Sequence, residues 1–325
     1  MTALAIGDTS RRGVGRSLVA GALVASAFVV FAELTTQLGA LRSHSPWQND
    51  PYDALASFAL FFVPGLVVLG ASRVPLCRRD RPAPVVRLIA LLRVVRLVAL
   101  IVIACTGSDL VAVSLRTEAA NWRAVTWVMT VAAAVILVLA AWLLRSVVAQ
   151  MRRIGARAGV EDAGWLDDWR ALARSISHRW PVLATLPRVI DASVDVLRRH
   201  PVGCFALAAG TSGGGVAAML ALAERAPPTL ALVEAVVFAA VSFSFLVASN
   251  DQLRVVGLPV KFGPRRRAQA VGLGAGVLVT LALRDELTGA LGVGRIGSAA
   301  ALLSTVLAGG TLGVVVTSGR SRRRS

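Results

Sequence analysis

Residues 85–115 read VVRLIALLRVVRLVALIVIACTGSDLVAVSL, and the placement of this stretch decides the fold. From Leu97 to Leu115 the only charged side chain is Asp109, and a run of that length and apolarity is what a helix needs to cross hydrocarbon. Starting the span at Leu88 instead would also bring Arg93 and Arg96 into the membrane. A centrally placed charge costs roughly 2.5–3.5 kcal/mol on insertion scales, so the register with one internal charge is favoured. Val86 to Arg96 then reads as an amphipathic lead-in at the headgroups. Its arginines lack the sustained every-third-residue repeat of a voltage-sensor helix.

Working outward, seven further apolar stretches follow the same pattern, giving expected spans at 17–41, 54–72, 97–115, 124–144, 202–222, 230–249, 268–283 and 298–317. With no water in the bilayer core to satisfy peptide groups, each is expected to be helical. The fold class is therefore all-α: a polytopic transmembrane helix bundle of about eight spans with short interfacial amphipathic helices. Composition agrees, since 56% of residues are apolar, 16% are charged and the mean hydropathy is +0.69. Soluble domains carry about 25% charged residues.

The charge pattern supplies an orientation. With both termini inside, the inner segments hold 29 of the 35 Lys and Arg residues and the outer loops hold six: Arg42, Arg116, Arg123, Arg225, Arg284 and Arg295. An odd number of spans would put Arg11, Arg12 and Arg16, or the cluster at 320–324, on the wrong side. The expected location is thus a bacterial plasma membrane with both termini cytoplasmic. The net charge of +17 comes from short clusters between apolar spans rather than one basic face, which excludes a nucleic-acid partner. Trp47, Trp122, Trp127 and Trp142 fall near span ends, where indole rings prefer to sit. Ser10-Arg11-Arg12 before an apolar run resembles part of a twin-arginine signal. That run is too long for a signal core of about 7–15 residues, so an uncleaved first helix is expected.

Three domains are expected on this topology: a first four-helix membrane half at 1–148, a cytoplasmic interfacial amphipathic segment at 149–200, and a second four-helix half with a basic tail at 201–325. In the middle segment Trp165, Trp169, Leu172, Ile176 and Trp180 share one arc of a helix while Arg170 and Arg174 point away. Trp165, Trp169 and Trp180 are the expected interfacial anchors. A second short helix carries Ile190, Val194 and Leu197 as its stripe, with Arg198 and Arg199 in the last turn. Both helices fit a surface of anionic lipid headgroups or a cytoplasmic protein partner.

Three carboxylates remain inside spans: Glu33, Asp109 and Glu234. At 1.5 Å per residue all three fall in the outer half of the membrane. Intramembrane carboxylates need water, a polar neighbour or a proton, and Thr35, Thr36, Gln37, Thr106 and Ser108 are the nearest candidates in sequence. Two readings stand: the three line a cation or proton pathway, or they are isolated carboxylates near the outer headgroups, protonated or wetted by local thinning. The glycine run Gly210 to Gly215 is read as a site of close helix packing rather than an unwound segment, and no Lys-Ser or Lys-Thr follows it as in a phosphate loop.

No catalytic constellation is consistent with the topology. His44 lies on one side and His178 and His200 on the other, and Cys77, Cys105 and Cys204 are far apart, so no enzyme, metal or cofactor is expected. Two segments carry a resemblance. Ser45-Pro46-Trp47-Gln48-Asn49-Asp50-Pro51-Tyr52-Asp53-Ala54 and Pro187-Arg188-Val189-Ile190-Asp191-Ala192, continuing to Leu197-Arg198-Arg199-His200-Pro201, resemble uncharacterised multi-pass membrane proteins of actinobacteria. The resemblance implies a plasma-membrane protein and no particular activity. Physically, Asp50 to Asp53 reads as an outer turn with Asp53 capping the second helix. Two roles stay open: a transporter- or channel-like protein using Glu33, Asp109 and Glu234, and a membrane scaffold or signalling component that docks a partner through 151–200.

Overall fold

The computed structural model describes residues 8–45, 52–79, 85–115, 124–155, 164–222, 225, 227–282 and 307–315. Every regular element among them is helical. The chain divides after Leu183 into two compact units, so that the expected middle segment is shared between them.

The first unit comprises α1 (Asp8–Gln37), a short α2 (Gly39–Arg42), α3 (Tyr52–Arg79), α4 (Val85–Leu115), α5 (Ala124–Gly155) and α6 (Trp165–Arg179). Its centre is α4, against which α1, α3 and α5 all pack. Ile89, Ala90, Leu91 and Leu92 are consecutive and all buried, so protein covers every side of the helix at this level, while Leu100 and Val111 further along it are exposed. A helix that is apolar all round belongs inside a bundle rather than at a surface. Val86 to Arg96 is the first part of one continuous helix with the apolar run that follows it, and Arg93 and Arg96 are half-buried. α1 stops at Gln37 because Leu38 turns to extended backbone, and the Thr35 and Thr36 hydroxyls donate to carbonyls of the preceding turn. α5 runs past Arg145 to Gly155, well beyond its apolar part.

The second unit comprises α7 (Leu186–Arg199), α8 (Pro201–Leu222), α9 (Pro228–Leu253), α10 (Pro264–Ala282) and a helical piece at 307–315. α8 stays helical through Gly210 to Gly215. A Cβ on Gly213 would overlap the carbonyl oxygen of Ala235, so this glycine is what lets α8 and α9 approach backbone to backbone. A Cβ on Gly276 would meet the carbonyl of Gly309 in the same way, drawing α10 and 307–315 together. α9 ends at Arg254, which adopts a left-handed conformation at φ 53°. There Asn250 accepts from the Val256 amide and donates to the Val256 carbonyl, both at 3.0 Å.

Five of the described helical segments are long and apolar enough to cross a membrane: Gly13–Gln37, Val85–Ser114, Ala124–Ile154, Pro201–Leu222 and Pro228–Leu253. Of the other expected crossings, α3 contains a shorter apolar stretch, Phe62–Val74, α10 spans 19 residues, and the last is described only at 307–315. The expected outer turn at 46–51 lies outside the described residues, as does the side chain of Asp53.

Candidate functional site

The most developed polar arrangement in the first unit joins three helices, and the sequence reading did not anticipate it. Near the end of α3, Arg73 lies buried at 2% exposure, and its Nε donates to Asp168 Oδ2 on α6. From the first turn of α4, Arg87 reaches the other carboxylate oxygen, with Nη2 at 2.8 Å and Nε at 3.0 Å from Oδ1. One carboxylate thus binds two guanidinium groups, each on its own oxygen. The arginine fork suits this, since its planar donors hold a carboxylate in a fixed direction.

Trp165, one turn before Asp168 on α6, completes the arrangement. Its side chain is fully buried, and the Arg73 guanidinium carbon stands 4.0 Å from the ring centroid. A cation over an indole face is worth about 2 kcal/mol when desolvated. Gly164 stands at the N-cap of α6 with φ +61°, a left-handed conformation that costs a residue with a β-carbon. Asp167 and Asp168 occupy the first helical turn, where the helix dipole favours negative charge.

The expected anchors therefore separate. Trp165 is enclosed by protein rather than set at a lipid-facing surface, because it closes over Arg73. Trp169 is half-buried, and Trp180 is 65% exposed beyond the end of α6. In the second unit the stripe Ile190, Val194 and Leu197 is the covered side of α7, which packs on α8, while Arg188, Arg198 and Arg199 are exposed.

The three membrane carboxylates also differ in setting. Asp109 is buried at 4% exposure in α4, one turn from buried Cys105 and Thr106. Glu33 is exposed on α1, so within the first unit these two carboxylates face different surroundings. Glu234 is half-buried on α9 of the second unit. The hydroxyls named as neighbours direct their protons elsewhere: Thr106 donates to the Val102 carbonyl at 2.7 Å and Ser108 to that of Cys105 at 2.7 Å. Their oxygens keep acceptor capacity, which serves a cation or a protonated carboxyl but not a carboxylate.

Among the described residues no group of three or more His, Cys, Asp or Glu side chains is placed to hold a metal ion. Cys105 is buried and Cys204 half-buried, and both are free thiols. A local signal for the cluster does exist in the sequence: Asp168 sits three residues after Trp165, on a neighbouring position of the same helix face. What the sequence withholds is its partners, 81 and 95 residues away.

The long apolar helices define an α-helical, multi-pass membrane protein. No protein-family model matches the chain, and no curated protein or solved structure matches it.

Proposed function

We infer that the chain is a membrane scaffold or signalling component of a bacterial plasma membrane that presents residues 151–200 to a cytoplasmic protein. The observation that carries this reading is the buried Arg73–Asp168–Arg87 cluster with Trp165 stacked on it. Such clusters contribute little net stability compared with apolar packing, but they fix geometry. A connecting helix with no task needs no fixed orientation. Here α6 is held so that Asp167, Arg174, Ser175, His178 and Arg179 face outward, a mainly basic face suited to an acidic partner surface. The arginine-weighted connections support a cytoplasmic setting for this face and for both termini. On the same reading the exposed Arg188, Arg198 and Arg199 of α7 contact anionic lipid headgroups.

The test is site-specific photocrosslinking from Ser175 in the full chain in native membranes. A defined cytoplasmic protein captured by the wild type, and lost on Arg174→Glu with Arg179→Glu, supports the reading. Capture of nothing above background overturns it.

A second reading, a cation or proton pathway through the membrane, is favoured by Asp109 alone, because an intramembrane carboxylate inside a bundle is costly to keep without a task. Reconstituted vesicles decide it. Proton or cation flux that disappears on Asp109→Asn supports this pathway, and equal flux in both proteins excludes it. Glu33 and Glu234 belong to the pathway only if their neutral variants reduce the same flux.

A further inference from the structure

We propose that the connector between α9 and α10 is a binding surface for the phosphate headgroups of anionic phospholipids. It leaves the end of α9 at Arg254 and re-enters helix at Pro264, the start of α10, which packs against α9. Two sets of bonds fix its course. On one side the Asn250 side chain holds both backbone groups of Val256. On the other, Arg267 of α10 places Nη1 3.2 Å from Asp251 Oδ1 on α9 and donates from Nε to the Phe262 carbonyl at 3.0 Å. These bonds draw the last turn of α9, the connector and the first turn of α10 together. Arg254, Lys261, Arg265 and Arg266, all exposed, therefore share one end of the α9–α10 pair.

Charge selects an anionic occupant. From 250 to 282 the sequence holds five cationic residues and a single acid, Asp251, and Arg267 takes that acid. Four cations are left together with no acid of their own segment to offset them. Two of them, Arg265 and Arg266, stand in the first turn of α10, which has no acidic residue and where the helix dipole disfavours positive charge. A third, Arg254, holds a left-handed φ of 53° in a position where glycine would be unstrained. An anionic surface relieves both the mutual repulsion and the dipole cost. Position then selects lipid among anions. α9 has 26 residues, about 39 Å of helix against a hydrocarbon core of about 30 Å, so a crossing by α9 brings its ends to headgroup level. Clusters of four or more cations beside a membrane helix suit anionic headgroups, and the arginine fork fits phosphate oxygens. Val255, Leu258 and Phe262 alternate with the cations and are half-buried, an apolar component that a lipid surface accommodates and a free phosphate does not use.

The experiment uses the full chain in nanodiscs of phosphatidylcholine containing one-fifth phosphatidylglycerol with the same acyl chains. A photoreactive residue at Gly257, which is exposed and where an added Cβ meets nothing within 4 Å, captures the lipid lying against the connector. Phosphatidylglycerol is expected among the captured lipids at about three times its share of the bilayer. Raising the salt to about 0.5 M should pull that ratio down towards the bulk value. Lys261→Gln with Arg265→Gln and Arg266→Gln changes only exposed side chains and should give the bulk ratio at low salt. Capture at the bulk ratio by the wild type overturns the proposal, as does an enrichment that survives the triple change. If the triple variant fails to fold, the salt series on the wild type decides: an enrichment indifferent to salt overturns it. Inorganic phosphate that removes the enrichment where chloride of equal ionic strength does not would assign the surface to a free phosphate and overturn the lipid assignment.

Discussion

Arg73 and Trp165 face one another across two helices far apart in sequence, the guanidinium carbon 4.0 Å from the indole centroid, both side chains shut away from solvent. Through this pair the start of α6 is keyed against the C-terminal part of α3. Trp165→Ala is expected to destabilise the first unit by about 3–5 kcal/mol, the usual cost of emptying a site of that size. Trp165→Phe retains part of the stacking and should lose much less. Thermal unfolding in detergent, followed by tryptophan-independent light scattering, measures the difference.

Removing the shared carboxylate has a different signature. Asp168→Asn leaves Arg73 and Arg87 with one neutral oxygen acceptor between them, and breaking a buried pair of this kind costs about 3–5 kcal/mol. The triple change Arg73→Met, Arg87→Met, Asp168→Leu removes every charge at once and should recover most of the loss. Limited proteolysis between 164 and 183 reads the release of α6: fast cleavage in Asp168→Asn, slow cleavage in wild type and triple variant. Equal rates in all three would show that the cluster does not hold the helix.

At Gly164 the backbone conformation itself is the constraint. A left-handed φ costs a residue with a β-carbon about 1–2 kcal/mol, so Gly164→Ala should lower Tm although the added Cβ would stand 3.6 Å from Arg73 Nη2, an ordinary contact. Gly164→Asn, which tolerates this region better, should lose less. A reversed order would indicate contact rather than backbone strain.

Gly213 and Gly214 are neighbours with opposite expectations. Gly213→Leu forces α8 from α9 and should abolish the folded second unit, whereas Gly214→Ala meets nothing within 4 Å and should be neutral or slightly stabilising through helix propensity. Protein yield and monodispersity after detergent extraction compare the two directly.

In the connector after α9, Asn250 makes both hydrogen bonds to the Val256 backbone from a side chain 6% exposed. Asn250→Ala leaves that amide and carbonyl without their partner and should cost about 1–3 kcal/mol. Asn250→Asp keeps only the acceptor and should fall between. Hydrogen exchange at the Val256 amide is the local readout.

The helical class was legible in the sequence because long apolar runs admit one secondary structure in hydrocarbon, and α1, α5, α8 and α9 sit where those runs lie. The central position of α4 was not. Insertion cost counts each arginine against lipid, but α1, α3 and α5 pack on α4, so much of its surface meets protein instead. Trp165 was misplaced for a related reason. A shared arc with Trp169 and Trp180 identifies an apolar side of α6 without saying whether lipid or another helix covers it. Asp168 was passed over because its arginines are distant in sequence, and both had been counted only as orienting charge. Of the three carboxylates, Asp109 sits inside the first unit and Glu33 on its exterior, a distinction that rotation about each helix decides and that spacing within one helix cannot give.

The separation between Asp168 and its two arginines also sets an order of events during synthesis. Arg87 leaves the ribosome 81 residues ahead of the carboxylate and Arg73 95 residues ahead of it. Throughout that interval α3 and α4 carry their guanidinium groups without the counterion they finally share, and α5 must be inserted before it arrives. Nascent chains halted before residue 168 should therefore remain open to quality-control proteases at the ends of α3 and α4, and closure of the first unit becomes a late step, completed by α6.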